Sequence, residues 1–256
     1  MAPVLTARGL TYRYGTHTAL RDFDLEVTPG EVVALLGANG SGKTTALRCV
    51  AGQLSPSEGV VTVAGADPHR EPEAEQARRA LAFVPDTPVF YRGLSIAEHV
   101  RLVAAAFDDP QGVERGEAVL AELGLADRLA LRPHELSSGQ RQKALLACVH
   151  ARPFTGLLLD EPVLRLDPAS QAWLHRRLRA HREAGVAIVL TTHHPAFANG
   201  LAARVLCLEE GRIAADETFA SFLARGADAR IGHQPDPGSG EAGLGLDDPG
   251  DATDQR

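Results

Sequence analysis

An α/β fold built on a largely parallel sheet is what this sequence predicts, and three observations predict it. Apolar strand-like runs alternate with amphipathic helical stretches through most of the chain, the pattern of a parallel sheet covered on both faces. The apolar run "VVALL" passes into the glycine-rich loop "GANGSGKTT" (Gly37 to Thr45) and then into a helical stretch. A block of helical texture from Ser95 to Ala151 interrupts the alternation, as an inserted subdomain would.

The elements follow in order. The start reads as a β subdomain: "VLTARGLTYRYG", "DFDLEV" and "EVVALLG", separated by turn residues at Gly15 and at Pro29-Gly30. The first helix opens in the glycine loop and ends near Gly52, and "GVVTVAG" and "LAFVPD" read as further strands. In "SIAEHVRLVAAAF" apolar residues fall at Ile96, Val100, Val103 and Phe107, a helical spacing, with Ser95 placed to cap it. "ERGEAVLAELGLADRLA" and "SSGQRQKALLACVHA" also read as helices. Alternation then resumes: strand "GLLLD", helix "SQAWLHRRLRAHREAG", strand "VAIVLTT", a short helix, a single strand "RVLCLEEGRIA" and helix "TFASFLARG". These divide the chain into one domain over 1–228, with a helical subdomain at about 88–151, and a Gly-, Pro- and Asp-rich tail over 229–256 that is expected to be disordered.

Composition narrows the function classes. The 256 residues carry a net charge of −7. From His233 to the end, six acids (Asp236, Glu241, Asp247, Asp248, Asp251, Asp254) meet one base, Arg256, so the tail holds −5 of it and the body about −2. No broadly basic surface is implied, and no nucleic-acid partner is expected. No apolar run approaches the roughly 18 residues of a membrane-spanning helix, and the start, "MAPVLTARGL", lacks the pattern of a signal peptide. A cytoplasmic location is expected. Cys49, Cys148 and Cys207 are widely spaced beside apolar residues, which reads as reduced, buried thiols.

Gly37, Gly42, Lys43 and Thr44 match G-x-x-x-x-G-K-[ST], and the whole loop Gly37, Ala38, Asn39, Gly40, Ser41, Gly42, Lys43, Thr44, Thr45 is the candidate nucleoside-triphosphate-binding segment. Glycines let backbone N–H groups close on phosphate oxygens, and the following helix adds its positive end. Lys43 supplies a point charge for the β- and γ-phosphates, Thr44 a hydroxyl for Mg²⁺, and Thr45 reaches the α-phosphate. "GLLLDEP" ends an apolar strand in Asp160 and then Glu161, one carboxylate to hold Mg²⁺ and one to polarise the attacking water.

What sets this phosphate loop apart is "ELSSGQRQKALLACVHARPFTGLLLDEPVLRLDP" (Glu135 to Pro168). It resembles the signature, Walker B and D-loop block of ATP-binding cassette (ABC) ATPases, whose form is L-S-G-G-Q, a helix, a strand ending D-E-P, and L-D. The resemblance runs from about Leu5 to Ala224 with the motifs in family order. It implies a P-loop NTPase fold of ABC type, with a mostly parallel core, an N-terminal antiparallel β subdomain and an inserted helical signature subdomain.

The resemblance also implies roles. Tyr14 would stack on adenine, with Tyr12 the alternative. Glu161 would be the general base. Asp160, Thr44 and Asp86 would hold Mg²⁺. His193 would contact the γ-phosphate and help orient water, with His194 the alternative. Ser137, Ser138, Gly139 and Gln140 would touch a nucleotide held by a second copy, and Asp167 would bridge the interface. The implied protein hydrolyses ATP as a head-to-tail dimer attached to a separate integral membrane permease, at the cytoplasmic face of the membrane. A soluble ABC ATPase serving a cofactor-assembly scaffold is the alternative. Three positions depart from the family pattern: Asp86 for the usual Gln, Ser138 for a common Gly, and Arg165 for a common Gly. The first resembles an exporter-type branch, the second keeps its backbone N–H, and the third has no consequence legible in the sequence. In "TPVFYRGLS", Phe90 and Tyr91 either receive a helix of the membrane protein, as in the family, or pack the helical subdomain.

Overall fold

The computed structural model describes residues 2–226. The tail expected over 229–256 lies outside the described residues.

The chain begins with β1 (Leu5–Tyr14) and β2 (His17–Val27), crosses to β3 (Val32–Leu36), and enters α1 (Lys43–Val50) from the glycine loop. Next come β4 (Glu58–Val63), α2 (Glu73–Ala80) and β5 (Leu81–Val84). The helical insertion holds α3 (Ile96–Ala106), α4 (Gly112–Glu122) and α5 (Ser138–His150). The chain returns through β6 (Gly156–Asp160), α6 (Pro168–Glu183), β7 (Ala187–Thr191), α7 (Pro195–Ala198), β8 (Arg204–Glu209), β9 (Arg212–Thr218) and α8 (Phe219–Ala224).

Two sheets form. A three-stranded antiparallel sheet runs β2-β1-β4. A six-stranded sheet runs β5-β6-β7-β3-β8-β9, parallel throughout except for the last pair. Period-two alternation decides which core each side chain joins. On the face toward the helical subdomain lie Val32, Ala34, Leu36, Leu157, Leu159, Ile188, Leu190, Val205 and Cys207. On the opposite face Val33, Leu35, Leu158, Ala187, Val189, Leu206 and Leu208 pack with the small sheet and with Ala46, Leu47 and Val50 of α1. Both faces of the central strands are dry, so the strands read as unbroken apolar runs.

Ser95 closes the start of α3 with a reciprocal capping box: its hydroxyl accepts from the Glu98 N–H, and Glu98 accepts from the Ser95 N–H. All three cysteines are buried, and burial pushes the Cys49 and Cys148 thiols up to about 12, as inert core thiols require.

The structure corrects the reading in four places. "RVLCLEEGRIA" is not one strand but the hairpin β8–β9, which reverses where Glu210 and Gly211 both take positive φ (47° and 79°). Helix α2 was not foreseen; its short "EAEQARRA" buries only Ala74 and Ala77, too thin a stripe to show as periodicity. Strand β2 begins at His17 rather than Asp22, because residues 17–20 still pair with β1 before a register shift. The helix predicted through "LGLADRLA" stops at Glu122, followed by Gly124 at φ 74°.

Candidate functional site

The C-terminal ends of β3 and β6 open onto one cleft of about 650 Å³, lined by Tyr14, His17, Ala19, Asn39, Gly40, Gly42, Lys43, Thr44, Thr45, Asp86, Glu161, Leu164 and His193. Residues from five separate stretches of sequence thus meet where an open α/β sheet presents its ligand site.

The loop is built to approach a ligand through its backbone. Gly42 stands at φ 106°, and a Cβ there would sit 2.6 Å from the Ala19 carbonyl oxygen, so no other residue fits. It leaves α1 without a side-chain cap or an acidic first turn, and the unsatisfied N–H groups and positive end of the helix face the cleft. Lys43 is buried; its Nζ donates to the carbonyls of Gly37 (2.8 Å) and Ala38 (3.0 Å). Burial pulls this ammonium below its ordinary value, against the opposing attraction of Glu161 and Asp160. The Ser41 hydroxyl is buried with no hydrogen-bond partner, an orphan that a ligand oxygen would satisfy. This donor set, with Lys43, suits a polyphosphate.

The acids lie opposite. Asp160 ends β6, 1% exposed. Its Oδ1 accepts from the Thr191 hydroxyl at 2.7 Å, and the same Thr191 oxygen accepts from the Glu161 N–H at 2.9 Å. Thr191 lies directly across from Asp160 in the β6–β7 register. It therefore locks two consecutive carboxylate residues with one oxygen. Glu161 takes φ 45°, a left-handed conformation that a glutamate adopts only where its surroundings hold it. Glu161 Oε2 lies 2.9 Å from His193 Nδ1. His194 instead precedes α7 and makes no side-chain capping bond, its own N–H donating to the Thr192 hydroxyl at 2.9 Å. The hydroxyl of Thr44 and the carboxylates of Asp160 and Asp86 are hard oxygen donors of the kind Mg²⁺ takes, so the residues present fit that ion.

Tyr14 is 48% exposed at the cleft mouth, its edge against Tyr12 at 4.8 Å between centroids, while Tyr12 packs on the small-sheet core.

Ser137, Ser138, Gly139, Gln140 and Asp167 do not line the cleft. Ser137 and Gln140 form a capping box at the start of α5, with bonds of 3.2 and 2.9 Å. Ser137 and Ser138 are exposed. Asp167 caps α6 by accepting from Ser170 N–H (2.9 Å) and pairs with Lys143 on α5 (2.6 Å). The Lys143 bond first, and the Ser170 N–H second, hold the Asp167 carboxyl down to about 2. Asp86 is engaged by Arg165, whose Nη1 lies 2.6 Å from Oδ1.

Three residues of this arrangement had no assigned role in the sequence. Thr191 was visible only as part of a strand; its work depends on strand register. Lys143 and Arg165 act through contacts between segments that the sequence does not place side by side.

A strand, a glycine loop closed by Lys-Thr, a helix, and an acidic pair at the end of a parallel strand one place removed in the sheet define a phosphate-loop nucleotide-binding domain. The match to known proteins is narrower. The ABC transporter family model covers residues 20–164, and this chain belongs to that family. It is 42% identical over 226 residues to a putative ABC transporter ATP-binding protein of Streptomyces avermitilis, covering 86% of this chain and 39% of that protein. The chain thus spans about two fifths of the length of that relative. It is 32% identical to the lipopolysaccharide export system ATP-binding protein LptB of Acidithiobacillus ferridurans (83% of this chain, 89% of that one). It is 36% identical to the aliphatic sulfonates import ATP-binding protein SsuB of Albidiferax ferrireducens (86% and 76%). Among solved structures, an ATP-binding subunit of an ABC transporter superposes with a TM-score of 0.80 at 32% identity, covering 87% of this chain and 92% of that one. The fold is that of an ABC ATPase.

Proposed function

We propose that this chain binds and hydrolyses ATP to power a membrane ABC transporter, acting as a head-to-tail dimer on a separate integral membrane permease at the cytoplasmic face. The observation that carries the reading is the division of the motifs. The phosphate loop, Glu161 and His193 share one cleft, with Asp160 buried directly behind Glu161, whereas Ser137 to Gln140 do not line that cleft. A second copy facing it would bring its own signature helix to this cleft, and this chain's to the other.

The chain's residues then divide the chemistry. Tyr14 receives the base. Lys43, the loop N–H groups and the end of α1 hold the phosphates. Thr44, Asp160 and Asp86 would hold Mg²⁺, which supplies neutralisation of charge on the β- and γ-phosphates. Glu161 takes a proton from the attacking water, and His193, bonded to it, sets the orientation of that carboxylate. Asp167 stands at the facing surface. Among the described residues no helix is long and apolar enough to cross a membrane, in keeping with a separate permease. Outward transport is the direction we propose, on the acidic residue at 86; the named relatives include both an exporter and an importer component.

Tagged Glu161→Gln protein, with ATP and Mg²⁺, tests the transport reading by recovery from native membranes. A polytopic membrane protein recovered with it supports the reading; recovery of soluble partners alone overturns it.

A further inference from the structure

Two of the three departures from the family pattern, Asp86 and Arg165, are 79 residues apart and touch each other. Asp86 follows β5 at the edge of the cleft; Arg165 lies in the turn between Glu161 and α6. One guanidinium nitrogen, Nη1, donates both to Asp86 Oδ1 at 2.6 Å and to the Asp86 backbone carbonyl. The other carboxylate oxygen accepts from the Thr87 hydroxyl at 3.3 Å. Asp86 is therefore held by side chain and backbone together. Both partners are partly screened, 29% and 39% exposed, so geometry rather than bare Coulomb energy gives the pair its value. With glycine at 165 Asp86 would keep only the long Thr87 contact; with glutamine at 86 the guanidinium would lose its charged acceptor. Each departure makes sense of the other.

The backbone of Arg165 has a second contact. Its carbonyl oxygen packs so closely on Gly139 that a Cβ there would lie 2.7 Å away. Two residues on, Asp167 holds Lys143 of α5. The turn carrying Arg165 is thus pinned to the signature helix at two points and to the cleft edge at a third.

We propose that Arg165 is a positioning residue that ties Asp86, in the chain's own nucleotide cleft, to the signature segment 137–140 that the same chain presents to the opposite nucleotide. The inference rests on the nucleotide reading above. Movement of Asp86 on nucleotide binding is carried through the guanidinium to the Arg165 backbone and so to Gly139. The state of one site then biases the other site's closing surface through this chain, a coupling through a contiguous set of contacts.

The test compares the full chain with Arg165→Gly, Asp86→Gln, the double variant and Arg165→Lys, using Mg·ADP at concentrations where sedimentation shows a monomer. Amide exchange over 137–142 is the readout. In the unaltered protein Mg·ADP is expected to slow exchange there about threefold. Arg165→Gly and Asp86→Gln each abolish that response, the double variant does no more than either, and Arg165→Lys, which retains the charge, restores part of it. A purely structural role would lower stability without uncoupling the response. If ADP binds and exchange over 137–142 ignores it, or if Arg165→Gly responds as the unaltered protein does, the inference is overturned. If ADP does not bind at all, the nucleotide reading falls and takes the inference with it.

Discussion

Replacing Thr191 with valine removes one hydroxyl and almost no volume, yet it strikes the two acids of the site at once. Thr191 is fully buried. Its oxygen accepts from the Glu161 N–H and donates to Asp160 Oδ1. Valine leaves one backbone donor and one carboxylate oxygen without this partner, and each such loss costs about 1–3 kcal/mol, more where the group is charged. The expected destabilisation is about 2–6 kcal/mol. Thr191→Ser retains the oxygen and gives up a methyl group, about 1 kcal/mol. Urea denaturation of the three proteins measures the difference. The loss also frees Glu161 from one of the contacts that hold its left-handed backbone, and in the role we propose for Glu161, that of general base, its displacement is expected to reduce kcat by about tenfold to a hundredfold with little change in KM. A valine variant as stable and as fast as the serine variant would refute the reasoning.

Other predictions follow from the same geometry. Gly139→Ala places a methyl against the Arg165 carbonyl, where only backbone can yield; we expect a loss of about 1–3 kcal/mol in stability and a larger loss in ATP-driven dimerisation, checked by denaturation and by sedimentation with ATP. Gly42→Ala meets both a φ of 106° and the Ala19 carbonyl, and should abolish binding of a fluorescent ATP analogue. His150 and His181, with Nε2 atoms 3.0 Å apart, are each pulled down to about 4, chiefly by burial. Their folded values lie below the ordinary 6.5, so the unfolded chain binds more protons between those limits and stability falls as pH drops from about 6.5 to 4. Urea midpoints measured across this range should drop steadily, and a flat profile would contradict the assignment.

Much of this was legible in the sequence because it is local. The glycine loop, the Ser95 cap and the apolar runs of β3, β6 and β7 each announce themselves within a dozen residues, since strand burial on both faces and helix capping use neighbouring positions. Misreadings came where local pattern is weak. The turn at Glu210-Gly211 sits inside a strand-like stretch, so β8 and β9 fused. Helix α2 buries two alanines and offers no stripe. In the site, the motif residues were legible but their fixing contacts were not. Thr191 supports Asp160 only because β6 and β7 pair in that register. The answer to Arg165 was Asp86, far away in the chain. A sequence read along its length shows which chemistry is present, whereas contacts across strands and turns decide how it is held.

The most direct test of the account is sedimentation of Glu161→Gln beside the unaltered protein, each with ATP and Mg²⁺, with phosphate release followed in parallel. The account predicts that the unaltered protein releases phosphate, and that Glu161→Gln loses turnover by about 10²-fold or more while sedimenting as an ATP-dependent dimer. A variant that stays monomeric with ATP bound, or that hydrolyses ATP at the original rate, would contradict it.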